Sequence, residues 1–184
     1  LKEEKMISGA FRRALTEAVV RPTKKPIWYA VHALTGIRIQ MTTRYLDGTM
    51  FSASFRAPMD RIRAILPSSR LKPVEVFPGF ASVLIGANEF RHIDVLYPYN
   101  EVAIAIPTYL DLGHTGPQTN VLWYLHLPVS TEDARWGGVE NYGFPKFVAE
   151  IRINSDPPEC RLTDKGREIL TLKVKKLETS FQDW

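Results

Sequence analysis

The feature that most constrains this chain is a succession of short, β-branched and aromatic runs separated by tight turns, with no helix of crossover length between them. FASVLIGANEF, YNEVAIAIPTYL and VLWYLHLPV fill the middle of the sequence; FVAEIRI, CRLT and REILTLKVKKL follow, divided by the turns NSDPPE and DKGR. Parallel neighbours need a connection of a dozen or more residues, whereas antiparallel ones join through a tight turn. The pattern predicts a mainly β fold with minor α: curved antiparallel sheets forming a barrel-like or sandwich core, with a few short helices. Period-two alternation in Ala149, Ile151, Ile153 and in Ile169, Thr171, Lys173 supports strands in the last third.

Helical spacing is confined to three places. Ile7, Phe11, Leu15, Ala18 and Val19 predict an amphipathic helix over residues 3–20, ended by RPTKKP. Met59, Ile62, Ile65 and Leu66 predict a short helix stopped before Pro67. Ser130 and Asp133 in STEDARWGGVENYG resemble a capping box and predict one or two turns, broken by Gly137-Gly138. Between Gly36 and Phe55, Asp47-Gly48 divides two β-rich runs and predicts a hairpin turn. With 184 residues, a single domain over 1–184 is expected, with residues 1–35 forming an N-terminal helix and linker packed on it.

Composition removes several classes of function. Hydrophobic residues at 45% and charged residues at 24% fit a globular chain and argue against disorder. No apolar run reaches the length of a membrane-spanning helix, and charges interrupt the N-terminus where a secretory signal would be apolar. With a single cysteine, Cys160, expected to behave as a small buried hydrophobe, this points to a reducing, cytoplasmic setting. The net charge of +4 suits an anionic ligand, but the basic residues form no block and the aromatics no stacking stripe, so no nucleic-acid partner is expected. His32, His92, His114 and His126 lie far apart, and His92 with Asp94 is too small a grouping to specify a metal site.

Chemistry concentrates at VENYGFPKFVAEI. Lys146 is flanked by Phe144, Pro145, Phe147 and Val148, groups that could strip its water, disfavour the ammonium and leave a nucleophilic amine. The plainer interpretation is a strand lysine whose head snorkels to solvent. In YNEVAIAIP, alternation sends Tyr99, Glu101, Ala103 and Ala105 to one face and Val102, Ile104 and Ile106 to the other. A small-residue face bearing a carboxylate suits the lining of a ligand cavity, although Glu101 on an outer face would also fit. Glu89 ends an otherwise apolar face and is the weaker candidate. A framed lysine with strand carboxylates suits Schiff-base chemistry, in which an amine condenses with a ketone and a carboxylate handles protons, with no added cofactor.

GFPK with its upstream ENY, YLHLPVSTEDARWGG, YNEVAIAIP and FRAPMDRIRAILP together resemble the acetoacetate decarboxylase family, over about Arg44 to Val148. The resemblance implies Lys146 as the Schiff-base lysine, Glu101 as the active-site carboxylate, a curved antiparallel barrel-like fold and a homo-oligomer. Residues placed around the substrate are Glu89, Arg44, Tyr99, Phe144 and Phe147. The sequence departs from the family pattern in three places. Phe147 stands where the family has a second lysine, Gly86 where it has another active-site glutamate, and Gly48 where it has an arginine. Glu89 and Arg44 are the nearest substitutes for the last two. The chain also ends well short of a full-length decarboxylase, so a C-terminally shortened domain is expected.

The function expected from these residues is a Schiff-base-forming lyase acting on a small anionic keto acid, by decarboxylation or a related aldol or dehydration step. The alternative is a non-catalytic relative that binds a small molecule in the same fold.

Overall fold

The computed structural model describes residues 43–94, 96–113 and 119–175. The helix expected at 3–20, its terminator and residues 36–42 of the first arm of the Asp47-Gly48 hairpin lie outside these residues. Within them the alternating runs form nine strands: β1 (Tyr45–Pro58), β2 (Leu71–Pro73), β3 (Glu75–Phe77), β4 (Phe80–Ile93), β5 (Tyr99–Leu110), β6 (Thr119–His126), β7 (Glu150–Ser155), β8 (Pro158–Asp164) and β9 (Arg167–Lys173). Two helices accompany them, α1 (Met59–Ile65) and α2 (Glu132–Tyr142). All the strand pairs are antiparallel, as the short connections require.

β1, β4, β5 and β6 lie side by side, and the short β2 and β3 pair with β5 and β4 where those two strands diverge. β7, β8 and β9 form a separate sheet. The two sheets pack face to face: Ala87 and Val102 of the first meet Ile151, Cys160, Leu162 and Leu172 of the second, with Phe51, Ile85 and Ile104 around them. The core is therefore a sandwich. The barrel-like half of the expectation is not met, because β7–β9 pair only with one another and the described strands close no ring. Cys160 lies in this core at 1% exposure, and burial pushes its thiol up to about 11, so it is the inert hydrophobe its solitary position suggested.

Local chemistry explains the ends of these elements. α1 buries Met59 and Ile62 against Ala81 and Ile106, and stops at Ile65 because Leu66 turns extended ahead of Pro67. The β8–β9 turn places Lys165 and Gly166 at φ 49 and 78, the pair of positive values a two-residue hairpin loop demands.

Asp47-Gly48 behaves differently from the expectation. It forms no turn; β1 runs straight through it, with register shifts against β4 at Tyr45/Asp47 and Asp47/Gly48. Gly48 is there for a close approach: a Cβ at that position would stand 2.6 Å from the Glu89 carbonyl oxygen of the neighbouring strand. Gly48→Ala should therefore lower unfolding stability by about 1–3 kcal/mol, the cost of overpacking against an immovable backbone, as measured by the denaturant midpoint.

Candidate active site

β5 divides its side chains as its alternation requires. Val102 and Ile104 face the second sheet and Ile106 packs against α1, while Glu101 and Ala103 share the opposite face. Across β4 the residues on that face are Phe90, Asn88 and Gly86, directly opposite Tyr99, Glu101 and Ala103. The sheet therefore presents a carboxylate and an amide between an aromatic pair, Phe90 and Tyr99, and the small Gly86 and Ala103.

Lys146 reaches this face through α2 and the turn that ends it. Thr131 is the N-cap, its hydroxyl accepting from the Ala134 N–H at 3.3 Å, with Glu132 and Asp133 in the positive first turn. Ser130, expected in that role, instead accepts the Asn100 N–H at 2.8 Å. The helix also continues through Gly137-Gly138 for 11 residues rather than breaking there. It ends at Gly143, whose φ of 67 lets its N–H reach the Val139 carbonyl, and the Phe144 N–H reaches that of Gly138. Pro145 then prevents any return to helix.

Beyond that turn, residues 144–149 run beside 127–129. The Leu127 N–H donates to the Pro145 oxygen, the Val129 N–H to that of Phe147, and the Ala149 N–H to that of Val129, at 2.9–3.2 Å. On its other side, Val129 bridges to Glu101, and the Val102 N–H donates to the Pro128 oxygen at 3.0 Å. Val129, fully buried, is thus the strap between the lysine segment and the carboxylate strand. The result is an ion pair: Lys146 Nζ donates to Glu101 Oε2 at 2.7 Å, with the two side chains 6% and 12% exposed. The rings of Tyr99 and Phe144 lie 5.4 and 5.9 Å from the same nitrogen.

A cavity of about 50 Å³ opens beside the amine, lined by Tyr45, Tyr99, Gly138, Asn141, Phe144 and Lys146 among others. That is room for a few water-sized groups, and so for a molecule of a few heavy atoms. The hydroxyls of Tyr45 and Tyr99 are 3.0 Å apart. Burial, reinforced by the Glu101 charge, holds the Tyr99 hydroxyl far above the ordinary phenol range, and burial also raises that of Tyr45. Both stay protonated across the physiological range.

Of the seven residues singled out from the sequence, the fold brings four together: Lys146, Glu101, Tyr99 and Phe144. The other three stand apart. Glu89 follows Asn88 by one residue, so the strand period sends it to the opposite face, where it pairs with Arg91 at 2.7 Å. Arg44 is 74% exposed and bound to Asp94 at 2.9 Å. Phe147 is one position out of step with Lys146 and lies against the His126 ring, 37% exposed, so Phe144 alone of the two phenylalanines screens the amine. Tyr45, Gly138 and Asn88 were not picked out from sequence. Gly138 had a signal, a glycine pair inside a capped helical stretch, which composition alone reads as a break. Among the described residues no three histidine, cysteine or carboxylate side chains converge as metal ligands.

The sequence profile of the family "Acetoacetate decarboxylase (ADC)" matches residues 32–181. The chain belongs to that family. No curated protein sequence matches this family member. Among solved structures it is similar to acetoacetate decarboxylase from Legionella pneumophila, with a TM-score of 0.58 and 18% identity over 70% of this chain and 48% of that one. A second acetoacetate decarboxylase structure gives 0.55 and 21%, covering 70% and 49%. The enduracididine biosynthesis enzyme MppR, complexed with the condensation product of pyruvate and imidazole 4-carboxaldehyde, gives 0.53 and 15%, covering 78% and 61%. At these identities the likeness is one of fold, and the chain spans about half the length of the two decarboxylases.

Two outcomes test this geometry. A Cβ at Gly138 would overlap the Lys146 Cδ and stand 2.5 Å from its Cε. On an open helix surface Gly→Ala gains about 1 kcal/mol; here Gly138→Ala should reverse that sign in a denaturant titration, because the lysine stem must leave its slot. Glu101→Leu alone should cost roughly 3–5 kcal/mol by stranding a buried charge, whereas Glu101→Leu with Lys146→Met should recover most of it, a coupling a double-mutant cycle would measure.

Proposed function

We propose that the protein is a Schiff-base-forming lyase acting on a small keto acid, with Lys146 as nucleophile and Glu101 as proton carrier. The observation that carries this is the 2.7 Å pair of a buried amine and a buried carboxylate beside a small cavity. The ammonium proton passes along that hydrogen bond to Glu101, leaving the nitrogen lone pair free. Nζ then attacks the carbonyl carbon and the π pair moves to oxygen, which takes up the proton that the attacking nitrogen loses. The carbinolamine hydroxyl leaves as water with the proton Glu101 holds, and the C=N iminium forms.

In the decarboxylation of a β-keto acid, the bond to the carboxylate then breaks and its electron pair moves into the iminium to give an enamine and CO₂. Protonation at carbon and addition of water release the ketone and restore the amine. In an aldol or dehydration step the same iminium acidifies the neighbouring C–H instead. The net charge of +4 favours approach of an anion. Burial suits the chemistry too, since a water-poor site strengthens the electrostatics and protects the imine.

Borohydride added in the presence of acetoacetate, pyruvate or a panel of longer keto acids should leave a reduced adduct on Lys146, located by peptide mass spectrometry. Lys146→Met should abolish it. No adduct across the panel would favour the alternative, a binder that holds its ligand without covalent chemistry.

A further inference from the structure

Asn88 is an anomaly that neither the fold nor the proposed lysine chemistry explains. It is 8% exposed, yet among the described residues its side-chain amide has no hydrogen-bond partner. A buried amide left unpaired is destabilising, and native structures hold few such groups. Its place is specific: Asn88 lies directly opposite Glu101 in the β4–β5 register, on the same face, where Cβ atoms of such pairs stand about 4.5–5.5 Å apart. Its neighbours on β4 and β5 along that face, Gly86 and Ala103, fill little space. Lys146 engages only Oε2 of Glu101, so Oε1 also lacks a partner among the described residues. A donor and an acceptor therefore stand unfilled on neighbouring strands, the acceptor on the carboxylate that Lys146 engages.

We propose that Asn88 binds the carbonyl oxygen of the molecule that Lys146 attacks. The assignment rests on the Schiff-base reading above and names the group that recognises its electrophile. An amide Nδ2 donates to the carbonyl oxygen, drawing electrons from the carbon as Nζ approaches. When that oxygen has become the carbinolamine hydroxyl, it keeps the Asn88 bond and donates to Glu101 Oε1. Protonated Glu101 then gives up the proton it took from the ammonium group, and the oxygen departs as water. This pattern selects a compact carbonyl compound whose oxygen accepts a hydrogen bond, and it disfavours an analogue with a methylene in place of the carbonyl.

The test compares the full chain with Asn88→Leu and Asn88→Ala, using two measurements on each. Adduct formation on Lys146 with pyruvate or acetoacetate and borohydride should slow roughly 10²-fold at saturating carbonyl compound in both variants, the loss typical of a single donor to a reacting oxygen. The thermal midpoint of Asn88→Leu should rise above that of the unaltered protein, because an apolar side chain of similar size carries no unpaired amide. Unchanged adduct rates in variants that fold overturn the assignment. A lower midpoint together with a lower rate in both variants also overturns it, since the amide would then be a structural partner. If the unaltered protein itself forms no adduct, the lysine reading fails and takes this assignment with it, an outcome distinct from the other two.

Discussion

A lysine and a glutamate held 2.7 Å apart with almost no access to water set the terms for everything around them. Removing two such charges from water costs several kcal/mol per ion, and only fixed, close geometry offsets that cost. The strap of residues 127–129 meets the requirement with main-chain bonds on both sides, to β5 and to the lysine segment. The capping turn at Gly143 and Phe144 fixes where the lysine segment begins. Side chains long enough to wander are thus held by backbone that cannot.

Glycine does much of the positioning, each time for a steric reason. Gly138 sits inside a helix, where glycine is otherwise unfavourable, because the lysine stem occupies the place of its Cβ. Gly143 supplies the left-handed conformation that reverses the chain toward the strap. Gly48 lets β1 pass within reach of the Glu89 carbonyl and keeps β1 in the sheet past an irregular register. Around the amine, the phenols of Tyr45 and Tyr99 are kept protonated by their own burial. The cavity therefore combines one amine and two neutral phenols, with a carboxylate bonded to the amine, a set suited to condensing with a carbonyl group and expelling its oxygen.

Much of this was legible without coordinates. The strands of the middle and last thirds, α1, and the division of β5 into a bulky and a small face all follow from period-two or helical spacing, which is local. The family resemblance carried by GFPK and YNE is matched by the profile over residues 32–181. Several expectations gave way to contacts that sequence spacing does not encode. Asp47-Gly48 has turn chemistry, but pairing of β1 along nearly the whole of β4 outweighs it. Gly137-Gly138 has breaker chemistry, but the Thr131 cap and packing against Lys146 keep the helix intact. Glu89 and Arg44 have the right charges, yet strand parity and an Asp94 partner direct them elsewhere.

By itself the sequence determined the antiparallel β class and the short connections, and it pointed to Lys146 and Glu101 as a candidate amine and carboxylate, because alternation, turn residues and a dense local motif are properties of neighbouring positions. Only the tertiary structure decided that the sheets stack without closing, that Asn88 rather than Glu89 stands beside Glu101, and that Tyr45 and Gly138 border the cavity. Those outcomes depend on which strand pairs with which and in what register. Register is set by long-range packing of whole faces, and a shift of one residue would exchange every partner.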